Sequence, residues 1–134
     1  MNIQKPLSSI SLDLDNEWSY LKIHGNSDWE KYPSYLDNFL PLVLDELDRL
    51  NIKITFFIVG KDAEVPSNEK YLRMIVERGH EVGNHSYSHE SWLNTFKKVK
   101  VEFEICKAEE LINNTTGKKQ LDLELRVLAG VKQF

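Results

Sequence analysis

Two pairs of side chains in this sequence are spaced for chemistry. Asp13 and Asp15 stand two apart in ISLDLDN, and His85 and His89 stand four apart in NHSYSHESW. Period two in a strand points both carboxylates to one face, and a spacing of four puts both imidazoles on one side of a helical turn. Two carboxylates that close repel unless one is protonated or a cation sits between them. Two imidazoles and one carboxylate are a common ligand set for a catalytic Zn²⁺, at distances of about 2 Å. The other carboxylate would then serve as the base that deprotonates water. Each pair alone also has a plain reading: such histidines are often solvated or bonded to backbone, and two aspartates at a strand end can cap the next turn. Their joint placement at strand ends favours the metal. His24 and His80 carry only the plain reading.

The elements that must position these groups are those of an α/β chain. Residues 10–15 alternate as a strand should and end in polar residues. The run IKITFFIVG, 52–60, is β-branched and aromatic and suits a strand buried on both faces. HEVGNH, 80–85, is a third, shorter strand. Leu40, Val43, Leu44, Leu47 and Leu50 recur at helical spacing, predicting a helix over 40–50 with Pro41 in its first turn. A second helix opens on the capping residues Ser67 and Asn68, carries Leu72, Ile75 and Val76 on one face and stops at Gly79. In the third segment Val99, Val101, Phe103 and Ile105 alternate like a strand, but Val101, Ile105, Ala108 and Ile112 follow helical spacing. The length and the Glu, Lys and Ala content after 102 favour a helix that stops at Gly117. The order β, loop, α, β, α, β, α predicts a parallel sheet, with functional groups at the carboxyl ends of its strands. The segment 16–34 reads as a long loop suited to binding. Trp92 reads either as a wall beside His89 or as ordinary core.

With 134 residues and 41% hydrophobic content the chain is sized for one domain. A net charge of −4 with dispersed Lys and Arg gives no footprint for nucleic acid. Residues 1–7 lack a signal-type apolar core, and no segment approaches the roughly 20 apolar residues of a membrane span. A cytoplasmic protein without nucleic-acid or membrane partners is expected, of open oligomeric state. The lone Cys106, inside a helical pattern, reads as a small buried hydrophobe.

On these residues the chain resembles the NodB-homology, or polysaccharide deacetylase, family over 7–119. GHEVGNHSYSH resembles the family motif in which a His, a Ser or Thr, two variable residues and a second His supply two metal ligands; ITFFIVG resembles the preceding strand. SLDLDNEWSY resembles the first motif of a subgroup whose two aspartates are separated by one residue. The resemblance implies Asp13 as general base, with Asp15, His85 and His89 as ligands of a divalent metal, zinc first and cobalt or nickel after it. It implies the N-terminal part of an irregular (β/α) barrel, and a hydrolase of carbon–nitrogen bonds acting on N-acetyl sugars, polysaccharides or small amides.

Where the family continues with an Arg-x-Pro motif and later a catalytic histidine, this chain reads TGKKQLDLELRVLAGVKQF. One added base after the codons for Lys118 and Lys119 turns an allowed coding of the tail into KKPIGFRAPGFSWGKAI, which contains a likeness of the third motif. Residues 120–134 are therefore expected to be an out-of-frame tail on an incomplete domain of little or no activity, with the 52–60 strand partly exposed. Two other readings stand beside this one. ISLDLDN also resembles the Asp-x-Asp strand of haloacid-dehalogenase-like phosphatases, although Asn16 and Glu17 depart from it and His85 and His89 find no use there. The chain could also be a non-catalytic remnant.

Overall fold

The computed structural model describes residues 7–117. The out-of-frame tail expected over 120–134 lies outside them. Three short strands, β1 (Ser11–Leu14), β2 (Thr55–Ile58) and β3 (Glu81–Asn84), pair in parallel in the order β1-β2-β3. Register runs Asp13 to Phe57 to Gly83 across the sheet. Between β1 and β2 lie α1 (Glu17–Ile23) and α2 (Leu36–Arg49); between β2 and β3 lie α3 (Gly60–Glu64) and α4 (Glu69–Glu77); α5 (Lys98–Thr116) follows β3. This is the β/α alternation expected of the N-terminal part of a (β/α) barrel.

The pleat sends alternate residues to opposite faces, and only one face is covered. Leu14, Phe56, Ile58 and Val82 pack into a core with Leu36, Leu40 and Leu44 of α2, Leu72 and Ile75 of α4, and Ala108 and Ile112 of α5. Ser11, Asp13 and Glu81 on the opposite face are exposed, and Phe57 is half-buried. The expectation that 52–60 is buried on both faces is thus corrected: the helices α2, α4 and α5 all contribute to one face, and no second layer meets the other among the described residues. Phe57 finds its cover by lying across Gly83, where a Cβ would stand 2.5 Å from its ring.

Several local expectations change. Helix α2 begins at Leu36 rather than Leu40, because the Tyr35 N–H donates to Asn16 Oδ1 (3.2 Å) and the Leu36 N–H to Ser34 Oγ (3.3 Å), which cap its start. Pro41 therefore sits inside the helix, where its missing N–H leaves one carbonyl without its intrahelical partner. Ser67 and Asn68 do not cap α4 with their side chains; they form a 3₁₀ turn, and the buried Asn68 amide donates to the Asp62 carbonyl (3.0 Å). The presumed loop 16–34 contains α1 and a 3₁₀ turn at Trp29–Lys31, since Asn16 Oδ1 accepts the Glu17 N–H and caps a helix there. Cys106 is exposed, because the buried stripe of α5 runs through Glu104, Ala108 and Ile112 instead. Leu50, likewise, ends α2 half-exposed rather than on its buried face.

Candidate metal centre

Asp13 lies within β1, Asp15 just past its end, and His85 just past the end of β3. β2 lies between these strands, so they are not neighbours in the sheet. Their side chains meet nonetheless. Two strand spacings amount to about 10 Å, which a carboxylate and an imidazole reaching toward each other over β2 can span. Asp15 Oδ1 lies 3.3 Å from His85 Nε2 and 3.1 Å from His89 Nε2. Asp13 Oδ2 stands 3.8 Å from His85 Nε2. All four residues singled out by spacing share one site.

The loop that carries the histidines is held in a costly shape. Ser86 (φ 63°) and His89 (φ 53°) are both left-handed, which costs an L-residue about 1–2 kcal/mol. Hydrogen bonds pin almost every turn of it. Asn84 Oδ1 accepts the Ser86 N–H (2.8 Å), and the His89 N–H donates to Ser86 Oγ (3.2 Å). The Gly60 and Lys61 N–H groups donate to the Ser86 and Tyr87 carbonyls. This close approach needs Gly60, where a Cβ would stand 2.9 Å from the Ala108 backbone and 3.1 Å from that of Tyr87.

The central clamp is Glu104, fully buried in α5. Its Oε2 accepts the Tyr87 and Ser88 N–H groups (3.1 and 2.7 Å), and its Oε1 accepts the Ser88 hydroxyl (2.6 Å) and the Lys100 ammonium (2.9 Å). Burial works against its charge, but these bonds outweigh it and hold the carboxyl below its ordinary value. Sequence reasoning missed this residue. The signal was present: Glu104 lies on the same stripe as Val101, Ile105, Ala108 and Ile112, a carboxylate on an apolar helix face.

Electrostatics fit a cation. The close approach of His85, then of His89, holds the Asp15 carboxyl well below the usual carboxylate range. Burial pushes the His85 imidazole down, but contact with Asp15 and the charges of Asp13 and Asp15 win and raise it. Asp15 Oδ1 is buried and makes no aligned hydrogen bond among the described residues, although both imidazoles stand beside it. Ligands about 2.0–2.1 Å from a tetrahedral ion stand about 3.3 Å apart, and the two edges from Asp15 Oδ1, 3.3 and 3.1 Å, match. The three ligand atoms all lie within 4.8 Å of one another. The donor set of one carboxylate and two imidazoles therefore fits a divalent ion of the zinc type. His89 Nδ1 is buried and meets no acceptor among the described residues. His80 instead accepts the Ile54 N–H in the core (3.2 Å), and the exposed His24 contacts the Tyr20 carbonyl. Trp92 is 72% exposed, so it is not core; with Ile23, Phe96 and His89 it lines a shallow recess.

The haloacid-dehalogenase reading loses ground here, because it has no use for imidazoles, and the fold brings two of them onto Asp15.

Comparison with known proteins points the same way. The polysaccharide deacetylase family model matches residues 27–127. The match starts downstream of Asp13 and Asp15, which enter the site through geometry. A peptidoglycan-N-acetylglucosamine deacetylase of Bacillus cereus is 38% identical over 79 residues, 59% of this chain and 28% of its own length. The structure of a family 4 acetyl xylan esterase from Clostridium thermocellum, in complex with a cobalt ion, is 33% identical with a TM-score of 0.55, over 62% of this chain and 40% of that one. A CE4 family pseudoenzyme from Bacillus anthracis is 31% identical with a TM-score of 0.57, over 66% of this chain and 30% of that one. The chain spans less than a third of the length of curated relatives such as the Bacillus cereus enzyme and a Listeria monocytogenes peptidoglycan deacetylase. With three quarters of its residues inside the matched model and the parallel sheet in place, the chain belongs to the polysaccharide deacetylase family.

Proposed function

We propose that the chain carries the metal-holding half of a hydrolytic site for the N-acetyl group of a carbohydrate. The observation that carries this reading is the meeting of Asp15, His85 and His89 at ligand-edge distances, with Asp13 beside them. Asp15, His85 and His89 hold a divalent cation, zinc first and cobalt or nickel after it. When bound, the ion supplies Lewis-acid stabilisation of charge that develops on the substrate carbonyl oxygen. Asp13, with its side chain 58% exposed, takes the proton from the attacking water. The Glu104 clamp keeps both imidazoles in place before substrate arrives.

Among the described residues no third imidazole and no arginine orients Asp13 or protonates the departing amine. A positioned acid and an oriented base contribute about 10²–10⁴-fold each, so the described residues by themselves support only slow hydrolysis. Acetate release from a β-1,4-linked N-acetylglucosamine trimer, with and without zinc, tests the reading. Slow, zinc-dependent release that Asp13→Asn removes is expected. Release that persists under a strong chelator, or in the Asp13→Asn variant, would overturn it.

A further inference from the structure

One recess among the described residues is not used by the hydrolytic chemistry. It has a volume of about 590 Å³ and lies beside the candidate metal centre. That size is within the roughly 300–1,000 Å³ of ordinary small-ligand sites. Asn16, next in sequence to Asp15, and Tyr87, between His85 and His89, both line it. Trp18 and Trp29 form an aromatic wall, with ring centroids 5.3 Å apart and planes tilted by 38°. The Lys61 ammonium sits over the same wall, 4.7 Å from the Trp29 centroid and 5.8 Å from that of Trp18.

Asp62, only 2% exposed, also lines the recess. Its Oδ1 accepts the Trp18 indole N–H (2.8 Å) and the Asn16 amide (3.0 Å). Its Oδ2 is buried and accepts no hydrogen bond among the described residues. A buried acceptor left unpaired costs about 1–3 kcal/mol, which a ligand hydroxyl would recover. Burial holds the Asp62 carboxyl above its ordinary value despite those two donors.

We propose that this recess is a sugar-ring subsite, holding the carbohydrate unit next to the one whose acyl group is presented to Asp15, His85 and His89. The identity of the ligand as a sugar rests on the deacetylase reading above. The chemistry matches a pyranose: apolar C–H faces stack on indoles, while hydroxyls at the ring edge need acceptors and donors such as Asp62, Ser34 and Asn68. The Lys61 ammonium lies over both tryptophan rings, and Glu30 and Glu64 line the recess beside Asp62.

The test is a titration of the full chain with the β-1,4-linked N-acetylglucosamine trimer under chelator, followed by NMR of the three indole N–H signals. The His85→Ala, His89→Ala double variant is run beside it to separate sugar binding from metal. A saturable shift of the Trp18 and Trp29 signals is expected in both proteins. Trp29→Ala should weaken binding about tenfold, the equivalent of a lost aromatic contact of about 1.4 kcal/mol, while Trp29→Phe, which keeps a ring, restores most of it. Zinc binding to Trp29→Ala should be unchanged. No shift at Trp18 and Trp29, a shift confined to Trp92, or equal binding by Trp29→Ala would overturn the subsite, whatever the metal result. Sugar binding at Trp29 by a chain that takes up no zinc would leave the subsite standing and overturn the metal reading alone.

Discussion

The two faces of the small sheet do different work. On one, Leu14, Phe56, Ile58 and Val82 are closed over by three helices, and the buried His80 stacks edge-on against Phe56 while accepting the Ile54 N–H. On the other, Ser11, Asp13, Thr55, Phe57 and Glu81 meet water or one another, as in the 2.7 Å hydrogen bond from the Thr55 hydroxyl to Glu81. The same strands thus supply stability from one face and carry the candidate site at the rim of the other. The rim is exact only because a buried carboxylate, Glu104, ties its loop to a helix of the stable side.

Core truncation should give the largest effect. Leu40 is fully buried in α2, and Leu40→Ala should destabilise by about 2–5 kcal/mol in a denaturant melt. Phe57→Ala, on the open face, should cost clearly less. Equal losses at the two positions would erase the distinction between the faces.

Glu104→Ala should come next. It leaves two N–H groups and a hydroxyl without their acceptor, at about 1–3 kcal/mol. Because the imidazoles are then held less well, zinc affinity should also fall about 10–100-fold, as for other groups that orient ligands. Calorimetry separates the two effects: a stability loss with unchanged zinc affinity would make Glu104 a part of the core alone.

A pH dependence of smaller size follows from His85. Its folded value is raised above the ordinary 6.5, so in metal-free protein its ion pair with Asp15 stabilises fully below 6.5 and is lost as pH rises through the folded value. The melting temperature of the chelated chain should fall over that window, and Asp15→Asn should flatten the trend. Zinc uptake should run the other way, strengthening as the same proton leaves. A melting temperature that rises across this window would contradict the pairing.

Much of this was legible in the sequence, for reasons that also explain the exceptions. Period two in 10–15 marked β1, HEVGNH at 80–85 read as a third, short strand, and the four candidate site residues came together because strand ends in a parallel sheet share a rim. The interposed β2 was not visible, since strand order depends on packing rather than on spacing. Glu104 stands four residues from Lys100, and a helical ion pair reads the same in sequence whether its carboxylate faces water or a loop. Helix α1 was hidden for a similar reason: its cap, Asn16, sits in the run of polar residues that ends β1 and reads as loop. Asp62 showed no pattern at all, as its burial depends on Trp18 and Asn16, more than 40 positions away.

Zinc titration of the chelator-stripped chain beside His89→Ala is the most direct measurement. One equivalent of zinc should bind to the unaltered chain, and the substitution should abolish that binding while leaving the fold's circular dichroism in place. A chain that takes up no zinc, or a His89→Ala variant that binds it as tightly as the unaltered chain, would contradict the assignment of Asp15, His85 and His89 as a metal centre.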